Sequence, residues 1–179
     1  MRLIIFGAGG FGKTVKDIAE QSKKYDNICF LDDAKECAEL GVVGKVGDFK
    51  DFINDDTEFL VAFGNNKLRY NTIEAIAKSG GKIARLIHPS AYVSPTATIG
   101  VGSIILPNAC VGTDVVMAYG CIINMGAIVD HKVLLGVGVH VAPGAIIKGE
   151  NVIDAFTKIE SGEVIERGQF PFVDSNLLK

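Results

Sequence analysis

The chain has 179 residues, with 18 Lys and Arg against 21 Asp and Glu, a formal net charge of −3 and 48% hydrophobic residues. That length suits one domain of ordinary size or two small ones. No basic stripe or aromatic–basic interleaving appears, which argues against a nucleic-acid partner, and the apolar start "MRLIIFGAGG" is too short for a signal peptide or a membrane span. The four cysteines, Cys29, Cys37, Cys110 and Cys121, show neither C-x-x-C pairing nor metal-ligand spacing. They read as reduced thiols of a soluble, cytoplasmic protein.

Up to about residue 86 strands alternate with helices. "LIIF" reads as a short buried strand, and Gly12 to Lys24 as a helix with Val15, Ile18 and Ala19 at helical spacing. "ICFL" and "FLVAF" are two further strands, Leu68 to Lys78 is a second helix, and "KIARLI" closes the unit. This alternation implies a parallel sheet with right-handed crossovers. Between the first strand and first helix, Gly7, Gly9 and Gly12 form G-x-G-x-x-G, with Asp32 and Asp33 about twenty residues on. Such glycines let backbone N–H groups approach an anionic ligand, and an aspartate there accepts from a ribose or base donor. The same glycines also serve tight strand–helix packing. Only about 85 residues precede the next change of pattern, roughly one mononucleotide-binding half, so a mononucleotide binder is favoured over a dinucleotide-dependent dehydrogenase.

From Ile87 the period changes to six. Stepping from Ile87 through Val93, Ile99 and onward to Ile165, all fourteen positions are aliphatic or Met, although roughly a quarter to a third of residues are of that type on average. Four residues after each stands mostly a small or compact side chain, such as Ala91, Ala97, Ser103, Ala109, Cys121, Ala127 and Ala145. Hexads of this kind predict a parallel β-helix with three hexads per 18-residue coil. The later coils are poorer in glycine, with Asn151, Thr157 and Glu163 at the small-residue position. Four coils leave an open end, which predicts association of subunits.

A repeat needs no histidine to fold, so His131, between Asp130 and Lys132, is a candidate for chemistry. Its charged neighbours would pull its basicity in opposite directions. The bland alternative is a solvated ring on a coil face. Three histidines on a β-helix also raise a zinc site of the γ-carbonic-anhydrase kind, but His131 and His140 are half a coil apart and His88 lies more than two coils away. Imidazoles so placed within one chain do not converge on a metal. No metal is expected. His88, ahead of Pro89 at the entry to the repeats, reads as structural.

The ordered segments "FGAGGFG", "FLDD", "VAFGNNKLR", "LIHPSA", "INMGAIVDH" and "HVAPGA" resemble the sugar acetyltransferases of the bacillosamine and sialic-acid type, from the first strand to about Gly149. The resemblance implies an α/β Rossmann-like domain over residues 1–86 and an all-β left-handed parallel β-helix over 87–179. It implies an acetyl-CoA-dependent acetyltransferase of surface glycan biosynthesis, acting on a nucleotide-linked amino sugar. Carried over to matching positions, His131 is the general base, tuned by Asp130. Gly9, Gly10, Phe11, Asp32, Asp33, Gly64 and Asn65 hold the nucleotide sugar, and His140 contacts the acetyl-CoA end. The Gly149 N–H is a donor to the thioester oxygen. Two departures stand out: Lys132 where the family commonly has a carboxylate, and C-terminal coils that are shorter and poorer in glycine. O-acetylation of a sugar or sialic acid is one alternative, and an inactive trimeric binding module is another. A homotrimer is expected, because half a coil separates the two histidines and their sites meet only across a subunit boundary.

Overall fold

The computed structural model describes residues 1–34 and 41–171. Cys37 lies outside them. The chain opens with β1 (Arg2–Phe6), α1 (Gly10–Gln21) and β2 (Asn27–Leu31), then β3 (Val42–Gly44), a 3₁₀ helix (Val46–Phe52), β4 (Thr57–Val61), α2 (Asn66–Lys78) and β5 (Lys82–Ile83). These five strands form one parallel sheet in the order β3-β2-β1-β4-β5. The order reverses between β1 and β4, so their carboxyl ends open a crevice where ligands of such sheets bind.

The helix bounds differ from expectation for local reasons. α1 starts inside the glycine loop, at Gly10, and stops at Gln21 because Lys23 adopts a left-handed φ of 54°. α2 starts two residues earlier than its apolar pattern because the Asn65 side chain caps it, accepting the Leu68 N–H at 2.9 Å. The short edge strand β3 and the 3₁₀ helix carry too weak a periodicity to be read beforehand.

The segment "KIARLI" is divided between two bodies. Lys82–Ile83 pairs with β4, whereas Leu86–Ile87 pairs with Ile104–Ile105 as the first strand of a triangular prism. The prism has three parallel sheets of two-residue strands. Face one carries the strands starting at Leu86, Ile104, Ile122, His140 and Lys158; face two those at Tyr92, Cys110, Ile128, Ile146 and Val164; face three those at Thr98, Val116, Leu134 and Val152. The second residue of each strand is the six-step aliphatic. With the compact residues it fills the axis, from Ile99 to Ile165.

The turns repeat as strictly as the core. From Gly102 to Gly168 every sixth residue has a positive φ, including Asn108, Asp114, Lys132, Glu150 and Phe156. A type II turn demands this conformation at its third position, and the stacked turns are tied by bonds such as Lys132 N–H to Thr113 O at 2.8 Å. At the far end Asn151, fully buried, replaces the compact residue. It donates to the carbonyls of Lys148 and Glu166 and accepts the Phe170 N–H at 2.8 Å.

Two contacts join the bodies. Val15, Ile18 and Ala19 of α1 share a core with the outward side chains of face one, Leu86, Ile104 and Ile122. His88 closes the seam, its Nδ1 against Ser90 Oγ at 2.8 Å and its Nε2 against Gln21 Oε1 at 3.1 Å. α2 lies along the corner between faces three and one. Ile73 packs under Gly102 and Gly120, Arg69 bonds the carbonyls of Gly120 and Gly138, and Asn66 Nδ2 donates to Phe156 O at 2.8 Å. Arg69 has no exposed surface and also donates to Phe63 O at 2.8 Å and Asn66 Oδ1 at 2.9 Å. Burial lowers its pKa to about 10, so it remains a cation at neutral pH.

Replacing Arg69 with Met would strand the buried carbonyls of Gly120 and Gly138 and the half-buried one of Phe63 while roughly preserving volume. At about 1–3 kcal/mol for each unsatisfied group, Arg69→Met is expected to lower the urea midpoint, with a loss of several kcal/mol in unfolding free energy, and to expose the 78–86 connection to limited proteolysis. An unchanged midpoint would show that the corner contact carries little stability.

Candidate active site

The glycine loop is built for close approach. Gly7 has φ +97°, and a Cβ at Gly12 would meet Gly7 O at 1.8 Å, so both are required by packing. Gly9, Gly10 and Gly64 differ: no atom lies within 4 Å of where their Cβ would stand. They line the open crevice, with Phe11 partly packed on the core below. Gly9 is the N-cap of α1 and lends no side-chain cap to its first turn, which leaves that end suited to an anion.

The aspartates are already engaged. Asp32 accepts from Ala8 N at 2.7 Å through Oδ2 and from Ala34 N at 2.8 Å through Oδ1, fastening the glycine loop. Asp33 Oδ1 accepts from Val46 N at 2.9 Å at the start of the 3₁₀ helix. Asp32 therefore shapes the crevice. Asp33 is exposed. Asn65 is held as the cap of α2, so Gly64 is the member of that pair that lines open space.

His131 stands at the corner between faces two and three, in the residue before the positive-φ Lys132. Asp130 Oδ1 accepts its backbone N–H at 2.7 Å and lies 3.0 Å from its ring Nδ1. A carboxylate there makes Nδ1 the protonated nitrogen and leaves Nε2 as the acceptor. The hydrogen bonds from His131 hold Asp130 below the usual carboxylate range, and the Gly149 N–H adds a smaller contribution in the same direction. Gly149 is one coil beyond His131. A Cβ there would meet the ring at 2.5 Å, so the imidazole lies against bare backbone. The Gly149 N–H thus faces the partner of the ring, within the same corner. Lys132 is set by the turn to a left-handed φ of 56° and forms no ion pair among the described residues.

His140 belongs to a different face. It is the outward residue of its strand on face one, registered between Ile122 and Lys158. Its Nε2 meets Asn124 Nδ2 at 3.1 Å, and Asn124 Oδ1 accepts the Met125 N–H at 2.9 Å. The amide therefore donates to Nε2, and the proton of His140 sits on Nδ1, which is buried without a partner among the described residues. Burial first, then the nearby Arg69 and Lys158 charges, lower its pKa to about 4. It is a neutral ring with an unspent donor. Asn124, Glu150 and Arg167 were not singled out in the sequence, although each falls at a simple offset within the 18-residue coil. No group of three or more His, Cys, Asp or Glu among the described residues is arranged to hold a metal.

The pKa of His140 has a consequence for stability. Between about 6.5 and about 4 the unfolded chain binds a proton there that the folded chain refuses, so folding stability falls as pH drops through that window. His140→Asn, which keeps a polar side chain without this titration, is expected to flatten the Tm-against-pH slope between pH 6.5 and 4.5. Parallel slopes for both proteins would refute the assignment.

Comparison with known proteins agrees with this architecture. Residues 2–76 match the PglD N-terminal domain family. The UDP-N-acetylbacillosamine N-acetyltransferase of Bacillus subtilis (strain 168) is 33% identical over 107 residues, which is 57% of this chain and only 50% of that protein. The acetyltransferase domain of PglB from Neisseria gonorrhoeae FA1090 superposes with a TM-score of 0.90 at 36% identity, covering 94% of this chain and 83% of that one. Its structure in complex with acetyl coenzyme A gives 0.89. A variant of the GDP-perosamine N-acetyltransferase of Caulobacter crescentus, in complex with CoA and GDP-perosamine, superposes at 0.80 with 25% identity over 96% of this chain and 90% of that one. The chain belongs to the family of PglD- and PglB-type sugar acetyltransferases, in which a Rossmann-like domain precedes a left-handed β-helix.

Proposed function

We propose that this protein transfers the acetyl group of acetyl-CoA to the amine of a nucleotide-linked sugar, in the cytoplasm, as a step of surface glycan biosynthesis. The observation that carries the reading is the His131 ring, fixed by Asp130 through Nδ1 at 3.0 Å and resting on Gly149, so that Nε2 is left as the proton acceptor. A thioester brings its own activation, so the protein has to align two ligands, accept a proton and support the oxyanion. As the amine nitrogen attacks the thioester carbonyl, its proton passes to Nε2. The carbon–sulfur bond then breaks, and the proton returns to the leaving thiolate. The Gly149 N–H stands at the same corner, shared with Asp130, as the donor assigned to the oxyanion. Acetyl-CoA is a co-substrate here and no metal is required.

In this reading the crevice at Gly9, Gly10, Phe11, Asp33 and Gly64 receives the nucleotide, with Asp32 and Asn65 holding its loops in shape. Support comes from the relatives: the Bacillus protein is named for a UDP-linked sugar, and the Caulobacter variant was solved with GDP-perosamine and CoA. Both are N-acetyltransferases by name, which favours an amine over a hydroxyl acceptor. His140, neutral and with an unspent Nδ1–H, suits a polar contact to the acetyl end of the coenzyme.

The sites are completed by association into a homotrimer. His131 occupies the corner between faces two and three, whereas Asn124 and His140 flank the corner between faces one and two. Face two, between them, presents a registered outward ladder of Tyr92, Cys110, Ile128, Ile146 and Val164. Tyr92, Ile128 and Val164 are 59%, 39% and 43% exposed, an apolar strip that a second copy would cover.

With acetyl-CoA and either UDP-N-acetylbacillosamine or GDP-perosamine, thiol release is expected from the wild-type chain, and His131→Ala should reduce it by about 10²–10⁴-fold. Near-full activity in that variant would reduce His131 to a surface residue. Light scattering should give three times the chain mass, and a clean monomer would reject the shared site.

A further inference from the structure

Two stacked columns of turn residues meet at the corner of His131. Thr113, His131, Gly149 and Arg167 recur at the 18-residue step, and beside them stand Asp114, Lys132, Glu150 and Gly168, each with a positive φ. Because Gly149 has no side chain, the imidazole fills its place and reaches the next coil. Its Nε2 there comes within 4.0 Å of Glu150 Oε1. The same carboxylate is gripped by Arg167, Nη2 at 2.8 Å from Oε1 and Nε at 3.3 Å from Oε2. The ring is thus bracketed by Asp130 at Nδ1 and by Glu150 at Nε2.

We propose that Glu150 is a positioning residue for the base, a second carboxylate that steadies the imidazolium formed when Nε2 takes the proton of the acceptor. The inference rests on the reading of His131 as that base. Asp130 and Glu150 are the charged groups in contact with the ring among the described residues, and the other charged residues of the two turn columns are Asp114 one coil before, Lys132 on the same turn and Arg167 one coil beyond Glu150. The Lys148–Glu166 pair stands alongside. Of these, only Glu150 stands at the nitrogen that receives the proton. An anion there favours the charged ring at the moment of transfer. Arg167 fixes where the carboxylate stands, and its own charge opposes the effect. Arg167 first, then His131 and Lys132, hold the Glu150 carboxyl below its ordinary range, so it is an anion throughout the working pH range.

The competing account is a ladder of exposed ion pairs, Glu150 with Arg167, that merely ties the last coils together. The two accounts diverge in sign. Removing Glu150 and removing Arg167 break the same ion pair, so a structural role predicts the same outcome for both. Through the ring they act oppositely, because one removes an anion and the other a cation.

The experiment is a histidine-ring NMR titration of the full chain, with His131 assigned by its absence in His131→Ala. Relative to wild type, the His131 midpoint should fall in Glu150→Gln and rise in Arg167→Gln, with Glu150→Asp lying between wild type and Glu150→Gln. In the acetyl-transfer assay with UDP-N-acetylbacillosamine or GDP-perosamine, Glu150→Gln should lower kcat about tenfold and shift the acidic limb to lower pH. The KM for acetyl-CoA should change less than twofold. A His131 midpoint that stays put in Glu150→Gln, or moves the same way in both variants, overturns the proposal while leaving the acetyltransferase reading intact. Full activity in His131→Ala would overturn the acetyltransferase mechanism itself, whatever the titrations show.

Discussion

One match of spacings holds the molecule together. An α-helix advances about 5.4 Å per turn, and neighbouring strands lie about 4.8 Å apart. α2 can therefore lie along a corner of the prism and meet a new coil at each of its own turns: Ile73 at Gly102 and Gly120, Arg69 at Gly120 and Gly138, Asn66 at Phe156. The contact requires glycines at the corner, since a Cβ at Gly102 or Gly120 would strike Ile73 within 3 Å. Arg69 is the fork that reads two successive turns at once, and it also holds Phe63 O, immediately ahead of the Gly64 loop. The crevice of the first sheet is thus referenced to the coils of the second body through one buried cation. Such a cation is costly to desolvate, and its five-donor fork is what allows neutral carbonyls to satisfy it.

The prism, in turn, is a scaffold on which chemistry is placed by omission as much as by addition. Every sixth residue is left-handed, and the residue before it projects at the corner. Pro107, Met125, Pro143 and Ser161 occupy equivalent projecting positions along one corner, and Thr113, His131, Gly149 and Arg167 along the next. Asn124 and Asp130 are equivalent too, each accepting the following backbone N–H through its side-chain oxygen. In Asp130 that local bond is extended to the ring of His131. Gly149 then provides the absence into which the ring leans. The bracketed imidazole is therefore a minor edit of a repeating turn, made at three positions of adjacent coils.

This explains which parts were legible in the amino-acid order. The six-residue step was, because an aliphatic at every sixth position reports a buried axis directly. His131 with Asp130 was, because a titratable group has no role in the repeat. Glu150 and Arg167 were recoverable only by counting 18 residues per coil, an arithmetic that follows once the coil is accepted. Arg69 was not legible, since its partners are carbonyls of Gly120, Gly138 and Phe63, which carry no sequence signature. The aspartates after β2 illustrate the reverse problem. Their position suggests ligand contact, yet Asp32 spends both oxygens on the N–H groups of Ala8 and Ala34. A spacing motif identifies the crevice without telling which acidic residue faces it.

The departure at Lys132 takes on a different meaning in three dimensions. The residue after His131 is left-handed, so its side chain is committed to the direction of the turn. Lys132 accordingly influences Glu150, whose carboxyl its charge helps to keep ionised. The carboxylate that a linear reading misses beside His131 is present on the following coil, together with Asp130 on its own. The His131 ring is 41% exposed in one chain, so water weakens the electrostatic support it could have as the proposed base. The remaining requirement is exclusion of solvent, and the exposed apolar ladder of face two borders this corner. Covering that strip with a second copy would dry the ring and strengthen both carboxylate contacts. In the proposed trimer, one surface would serve both association and the setting of the base.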